Sequence, residues 1–244
     1  MTPVRAVFFD LDGTLIDDDT ASRICLERTC LEFQACAPGF DHVRAAHTYF
    51  DLGKAFWAHR SSTGFDDEMR DYRTALWDKT LRTFGISSTA LARDFALFYG
   101  EQKANTAIAF DDAMLVLEAL RAQDYRLAVI TNGPGDLQRG KLAMAGLDSY
   151  FDAVIASTDH NAGKPNRVVF EAALKATGAP PTTTWHVGDN LSTDVGGAIN
   201  AGIKAAWLNT HGETPLAELP VPDAEIASLT ELLPLLGLEG RSNG

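Results

Sequence analysis

Short apolar runs that alternate with helix-length segments are the feature of this sequence that most constrains its fold. The runs are rich in Val, Ile, Phe or Trp, and they cover residues 4–9, 126–131, 151–156, 184–187 and 204–208. Near-continuous hydrophobicity without strict alternation is typical of strands covered on both faces, as in parallel sheets. Helical segments are predicted at 111–122, 136–145, 167–176 and 193–201. The alternation therefore predicts an α/β fold with a Rossmann-like, doubly wound parallel sheet and right-handed crossovers.

The interval between the first two runs has a different character. Residues 17–109 contain no strand-like run, but they carry long amphipathic patterns around 21–36, 43–58, 68–84 and 90–106. Such patterns predict helices that bury one face. We therefore expect a catalytic core of residues 1–16 and 110–244 with an inserted all-α cap of residues 17–109. A last helix is predicted at 229–236, followed by a loose tail at 239–244.

The composition narrows the class of partner. The 244-residue chain has a formal net charge of −12, which argues against a nucleic-acid duplex or an anionic membrane as partner. No segment approaches the about 20 apolar residues of a membrane-spanning helix. The spacing of Cys25, Cys30 and Cys36 does not match the paired cysteines of a zinc site, and an odd number of thiols suits a reducing compartment. We expect a cytoplasmic protein that acts on small molecules, as a monomer or a homodimer.

Carboxylates follow two of the predicted strands. Asp10 and Asp12 end the first strand, and their spacing of two residues places both side chains on the same side of an extended backbone. Gly13 follows and permits a sharp turn beside a ligand. The fourth strand runs into Asp189, and Asp194 lies near the start of the next helix. Since ligands of doubly wound sheets bind beyond the carboxyl ends of the strands, these four carboxylates are candidates for one site.

The other strand ends supply groups that suit an anion. Thr131 and Asn132 end the second strand, and Lys164 lies in a loop after the third. Four carboxylates and one ammonium would carry a charge of about −3, which is costly to desolvate without a bound cation. Oxygen ligands with no Cys or His cluster indicate Mg²⁺. The sequence thus predicts a magnesium site with Lys164 and Thr131 left to hold an anion.

These residues resemble the four motifs of the haloacid dehalogenase-like hydrolase superfamily, in the order that the family has them. The matching segments are Asp10-Leu11-Asp12-Gly13-Thr14-Leu15, Val129-Ile130-Thr131-Asn132-Gly133, Lys164, and Val187-Gly188-Asp189-Asn190 continuing to Asp194. The place of the insertion resembles that of the C1-type helical cap, which closes over the active site and selects substrates. The segment 188–209 is most similar to the branch of the pyrimidine 5′-nucleotidases and N-acylneuraminate-9-phosphatases.

The resemblance implies a role for each residue in a phosphatase that works through an aspartyl-phosphate. Asp10 attacks phosphorus, and Asp12 protonates the leaving oxygen and then deprotonates the hydrolytic water. Thr131 and Asn132 bind the phosphoryl oxygens, and Lys164 neutralises charge. In the same resemblance, the Mg²⁺ ligands are Asp10, the Asp12 carbonyl and Asp189, and Asp194 supports them from behind.

The favoured function is a hydrolase of small phosphorylated metabolites such as nucleoside monophosphates or sugar phosphates, and three other functions are possible on the same fold. A phosphomutase would return the phosphoryl group to substrate. A 2-haloacid dehalogenase is disfavoured because that branch lacks the second aspartate, here Asp12. An inactive binding module would usually have lost part of the set. His160, His186 and His211 match no motif and are expected to be ordinary polar or packing residues. The substrate, the cap residues that select it and the oligomeric state stay open.

Overall fold

A single parallel sheet organises the α/β part of the molecule. In a computed structural model, which describes residues 4–35, 37–58 and 67–238, the sheet has six strands. The strands are β1 (Ala6–Phe9), β2 (Arg126–Thr131), β3 (Ala153–Ala156), β4 (Thr184–Gly188), β5 (Lys204–Leu208) and β6 (Ala224–Ile226). Their spatial order is β3-β2-β1-β4-β5-β6, and every neighbouring pair is parallel.

The predicted fold class is confirmed, and the predicted runs are the first five strands. The first and third strands begin two residues later than predicted, at Ala6 and Ala153, and β4 extends to Gly188. The sixth strand was not predicted. Its sequence, Ala-Glu-Ile, is too short and too polar to stand out as an apolar run, and it pairs only with β5 at the edge of the sheet.

Helices precede, separate or follow the strands of this sheet along the chain. They are α5 (Ala113–Arg121), α6 (Gly135–Met144), α7 (Ser157–His160), α8 (Arg167–Thr177), α9 (Gly196–Asn200) and α10 (Leu232–Leu235). A core of apolar side chains joins the sheet to α8 and α9, with Phe8, Ile130 and Phe170 among its fully buried members. The helix predicted at 193–201 is instead a π-helical turn, Leu191–Val195, followed by α9.

The chain divides into two compact units. The first comprises Met1–Asp17 and Ala109–Gly244, and the second comprises Asp18–Ile108. In the first unit, Ile16 pairs with Ala109 in an isolated antiparallel bridge where the chain leaves the unit and returns to it. In the described part of the second unit, the helices are α1 (Asp18–Glu32), α2 (His42–Ala58), α3 (Asp67–Arg82) and α4 (Thr89–Ala104).

The helical unit has its own aromatic core. Trp77 and Phe95 are fully buried, and their ring centroids are 4.6 Å apart. Cys25 and Cys30 are buried in α1, whereas Cys36 and the predicted tail at 239–244 lie outside the described residues. Among the helices that the structure describes, none has the length and apolar character needed to cross a membrane.

One ionised side chain ties the start of β2 to the segment before β3. Asp152 accepts a hydrogen bond from the Leu127 N–H at 2.8 Å and ion pairs from Arg126 and Arg121 at 2.9 and 2.8 Å. Partial burial of Asp152 opposes its ionisation, but these three donors outweigh that effect and lower its pKa from the usual 3.8. The carboxylate therefore stabilises the fold in its charged form.

This arrangement predicts a pH-dependent contribution to stability. A pKa that is lower in the folded state gives stabilisation that is complete above about pH 3.8, the unfolded value, and is lost as the pH falls through the folded value. We expect Asp152→Asn to reduce the free energy of unfolding by about 1–3 kcal/mol at pH 7 and by much less at pH 2. Urea unfolding at both pH values measures the difference, with the exposed Asp148→Asn as control. An equal loss at both pH values would contradict the assignment.

Candidate active site

A buried ammonium group links two carboxylates at the carboxyl edge of the sheet. Asp10 follows β1, and its backbone N–H donates to the Val187 carbonyl of β4 at 2.9 Å. The Lys164 Nζ donates to Asp10 Oδ1, and it also donates to Asp194 Oδ1 at 2.7 Å. All three side chains are nearly inaccessible to solvent. Three segments that are distant in sequence are thus joined by one cation.

The ionisation of these groups is set by burial and by their mutual charges. Burial raises the pKa of Asp10, and the neighbouring carboxylates of Asp194 and Asp189 raise it as well. Lys164 lowers this pKa, but the net shift is upward. Burial also opposes the charged form of Asp194, but Lys164 and His186 outweigh it and lower the pKa of Asp194 to about 2. Burial disfavours the ammonium of Lys164, but Asp10 and Asp194 outweigh it and raise the pKa. Of these two buried carboxylates, Asp10 is therefore the one whose ionisation the protein favours less.

Asp194 is fully engaged by the protein. It lies on the π-helical turn, an irregularity that is frequent at functional sites. Its Oδ1 contacts the His186 Nε2 at 2.9 Å, and its Oδ2 accepts from the Asn190 N–H at 3.2 Å. Burial lowers the pKa of His186, so the imidazole is neutral and donates its Nε2–H to the carboxylate. His186, expected from the sequence to be an ordinary polar or packing residue, has a polar role here, since it contacts Asp194.

Asp189 is the exposed carboxylate of the site. The Trp207 indole on β5 donates to the Asp189 carbonyl at 2.8 Å, which fixes the backbone at this position. Gly13 has a φ of +84°, and a Cβ built there would lie 2.5 Å from Asp189 Oδ2. The backbone conformation therefore favours a glycine at this position, and any larger residue would also have to move the Asp189 carboxylate or the turn.

The donor set fits a hard divalent cation. Carboxylate oxygens of Asp10, Asp189 and Asp194 lie within 4.8 Å of one another. Since both oxygens of Asp194 are bound by Lys164, His186 and Asn190, Asp10 and Asp189 are better placed as direct ligands. Oxygen donors without sulfur or imidazole ligands suit Mg²⁺. A cation beside Asp10 would also oppose the upward shift of its pKa.

The side chain of Asn132 forms two hydrogen bonds with the backbone of Lys164. The Asn132 Nδ2 donates to the Lys164 carbonyl at 3.1 Å, and the Lys164 N–H donates to Asn132 Oδ1 at 2.8 Å. This reciprocal pair connects the loop after β2 to the loop that carries the lysine. Asn132 thus has a structural contact besides the anion-binding role that the motif implies.

Two residues of α6 that were not singled out in the sequence contact the predicted acid/base. The Gln138 Nε2 donates to Asp12 Oδ2 at 2.9 Å and to Thr131 Oγ1 at 2.5 Å. Lys141 forms an ion pair with Asp12 Oδ1 at 2.6 Å. With this second lysine, the four carboxylates and two ammonium groups have a formal charge of about −2 rather than the −3 expected from sequence.

Comparison with known proteins identifies the family. Residues 4–202 match the model of the haloacid dehalogenase-like hydrolases. The N-acylneuraminate-9-phosphatase of Mus musculus is 32% identical over 97% of this chain and 95% of its own length. A pyrimidine 5′-nucleotidase of Escherichia coli is 29% identical over 94% of this chain and 96% of its own.

Solved structures share the fold. YfnB from Bacillus subtilis, described as a HAD-hydrolase bound to magnesium, has a TM-score of 0.78 at 23% identity and covers 97% of this chain and 100% of its own. The L-2-haloacid dehalogenase of Xanthobacter autotrophicus has a TM-score of 0.70 at 23% identity, covering 96% of this chain and 98% of its own.

The chain belongs to the haloacid dehalogenase-like hydrolase family, as its four motifs indicated. Within that family, the prediction of a phosphatase is confirmed by the phosphatases and nucleotidases among its relatives.

The contact between Gly13 and Asp189 gives a direct test of the site. We expect Gly13→Ala to lower kcat/KM for p-nitrophenyl phosphate by about a hundredfold, because the new methyl group must displace Asp189 or shift the turn that follows Asp10. Gly146→Ala is the matched control, since Gly146 has a φ of +70° with nothing within 4 Å of its Cβ position. Both variants should lose about 1 kcal/mol of stability, but only the first should lose activity. Equal activities would contradict a role for this close approach.

Proposed function

We propose that this protein is a Mg²⁺-dependent phosphatase that hydrolyses a small phosphorylated metabolite through an aspartyl-phosphate on Asp10. The observation that carries the proposal is the buried arrangement of Asp10, Lys164 and Asp194 next to Asp12, at the carboxyl edge of the sheet. A buried carboxylate that is paired with an ammonium lies there, and the same ammonium can bind a phosphoryl oxygen. Phosphoryl transfer depends mainly on such positioning and charge neutralisation.

The reaction consists of two displacements on phosphorus. A carboxylate oxygen of Asp10 attacks phosphorus, the bond to the ester oxygen breaks, and Asp12 gives its proton to the departing alcohol. Asp12 then takes a proton from water as that water attacks the aspartyl-phosphate. The phosphorus–oxygen bond to Asp10 breaks, releasing inorganic phosphate and regenerating both carboxyl groups. Thr131 and Asn132 bind the phosphoryl oxygens, and Lys164 offsets their charge.

Asp10, the Asp12 carbonyl and Asp189 would hold the Mg²⁺, and Asp194 would support them through Lys164 and the backbone. When bound, the ion supplies charge neutralisation on the phosphoryl group. The donor set of Asp10 and Asp189, with no thiolate or imidazole ligand, supports this choice of metal.

Two other chemistries are known or expected on this fold, namely dehalogenation and phosphoryl transfer within the substrate. Asp12 argues against the first of them. Dehalogenases share the fold, but a carbon–halogen bond has no leaving oxygen that needs a proton. Here Asp12 is held by two side chains of α6, which supports an acid/base role. A phosphomutase differs only in the acceptor of the phosphoryl group, and isomerisation of a hexose phosphate with a bisphosphate activator would favour it.

The proposal extends to the class of substrate and to the cellular compartment of the protein. The helical unit is the proposed cap that selects the substrate, and the named relatives make nucleoside monophosphates and phosphosugars the first compounds to assay. The free, buried thiol of Cys25 supports a reducing compartment such as the cytoplasm.

Replacing the nucleophile tests the mechanism. We expect Asp10→Asn to lower kcat for p-nitrophenyl phosphate by at least a thousandfold, because the amide cannot form the covalent intermediate. The protein should stay folded by circular dichroism. The matched control is Asp136→Asn, an exposed aspartate in the first turn of α6, and it should keep wild-type activity. Normal turnover by Asp10→Asn would rule out the aspartyl-phosphate route.

Removal of the metal is a separate test. Activity should fall to background in excess chelator and return when Mg²⁺ is added beyond the chelator concentration. Asp189→Asn should raise the Mg²⁺ concentration needed for half-maximal activity by about tenfold or more, since it replaces a charged ligand by a neutral one. Full activity in excess chelator would remove the metal from the mechanism.

A further inference from the structure

We infer that Gln138 is a positioning residue that sets both the acid/base Asp12 and the phosphate-binding hydroxyl of Thr131. The inference rests on the proposed function and adds to it a residue outside the four motifs. Gln138 lies one turn into α6 and is only 3% exposed. Its side-chain nitrogen contacts Asp12 Oδ2 and Thr131 Oγ1 simultaneously.

The orientation of the Gln138 amide follows from the chemistry of its partners. An ionised carboxylate can only accept hydrogen bonds, so the atom that faces Asp12 must be the NH₂ group. One of its hydrogens reaches Asp12, and the other reaches the Thr131 oxygen. Because Thr131 Oγ1 is thereby an acceptor toward Gln138, its own hydrogen is left to donate elsewhere. A phosphoryl oxygen can only accept hydrogen bonds, so it is a suitable partner for the hydroxyl hydrogen of Thr131.

A neutral donor on one oxygen of Asp12 suits both halves of the reaction. A protonated carboxyl group carries its hydrogen on one oxygen and can still accept a hydrogen bond on the other. Gln138 can therefore hold Oδ2 whether Asp12 is giving a proton to the leaving group or taking one from water. Lys141 contacts the other oxygen, Oδ1, at 2.6 Å. Gln138 thus keeps its contact with Oδ2 through the cycle when Oδ1 is the oxygen that exchanges the proton.

The loop before α6 fixes the place of Gln138. The Gln138 side chain lies beside Gly133, where a Cβ would be 3.4 Å from Gln138 Cδ. The backbone N–H of Gln138 donates to the Pro134 carbonyl at 3.0 Å. The Gly133 N–H is held in turn by Ser157 Oγ at 2.9 Å. The amide therefore reaches its two partners from a well-anchored turn.

The test compares two aryl phosphates of similar shape. The leaving group of p-nitrophenyl phosphate departs readily without a proton, whereas that of phenyl phosphate is a basic phenolate, with a conjugate-acid pKa of about 10, and gains from general acid catalysis. The parameter is kcat/KM with saturating Mg²⁺, since it reports the step in which the leaving group departs. The ratio of the two values is measured on one preparation and does not depend on the fraction of folded enzyme.

We expect Gln138→Met, which keeps the volume but removes the donor, to raise the ratio of kcat/KM for p-nitrophenyl phosphate to that for phenyl phosphate by about tenfold. This is part of the hundredfold or more that general acid catalysis contributes. Gln138→Glu should raise the same ratio further, because it presents acceptor oxygens to Asp12, and it replaces Gln138→Met in the test if that variant does not fold. Asp12→Asn sets the upper limit of the effect. Arg139→Met is the matched control, because Arg139 pairs with Asp136 and Asp159 and should leave the ratio unchanged.

The outcomes separate this inference from the proposed function. If both Gln138 variants lower kcat/KM equally for the two substrates while Asp12→Asn changes the ratio, Gln138 has only a structural role and the inference is overturned. If Asp12→Asn leaves the ratio unchanged as well, the acid role of Asp12 fails, and the proposed mechanism fails with it. A ratio shift in both Gln138 variants but not in Arg139→Met supports the inference.

Discussion

The buried ammonium of Lys164 lies between Asp10 and Asp194, and the arrangement of the site depends on that pair of contacts. Without it, two carboxylates would face each other in a region with little solvent, which costs several kcal/mol per uncompensated charge. With it, Asp194 becomes a stable anion that organises the turn after β4, while the pKa of Asp10 stays raised by burial and by the neighbouring carboxylates, which a bound cation would oppose. The lysine therefore stabilises the site and at the same time leaves it reactive.

The parallel sheet is what allows such distant residues to meet. Asp10 and Asp189 follow the neighbouring strands β1 and β4, and Thr131 ends β2 on the other side of β1. Because all the strands run in one direction, their last residues share one edge. The remaining group, Lys164, comes from a loop, and its position is fixed by exchange of hydrogen bonds with Asn132. Strands thus set the coarse geometry, and side-chain contacts to the backbone set the rest.

The sequence predicted the parts of this arrangement that have a strong local pattern. Runs of buried apolar residues identify β1 to β5, and the spacing of Asp10 and Asp12 identifies the motif that follows β1. The edge strand β6 has no such pattern, and neither does the π-helical turn that carries Asp194. Gln138, Lys141 and His186 were missed for a different reason: each is a common residue type inside a helix or strand, and only tertiary packing brings it to Asp12 or Asp194. The roles of the motif residues stay predictions.

The central place of β1 in the sheet has a consequence for the dynamics of the enzyme. Its backbone is paired with β2 on one side and β4 on the other, whereas β6 has a single neighbour. Local opening that exposes the amides of β1 must break two ladders, so hydrogen exchange there requires nearly global unfolding, while β6 can exchange through fraying of the edge. Asp10 is therefore attached to a strand that is paired on both sides, and fraying of the edge strand β6 does not break the ladders of β1.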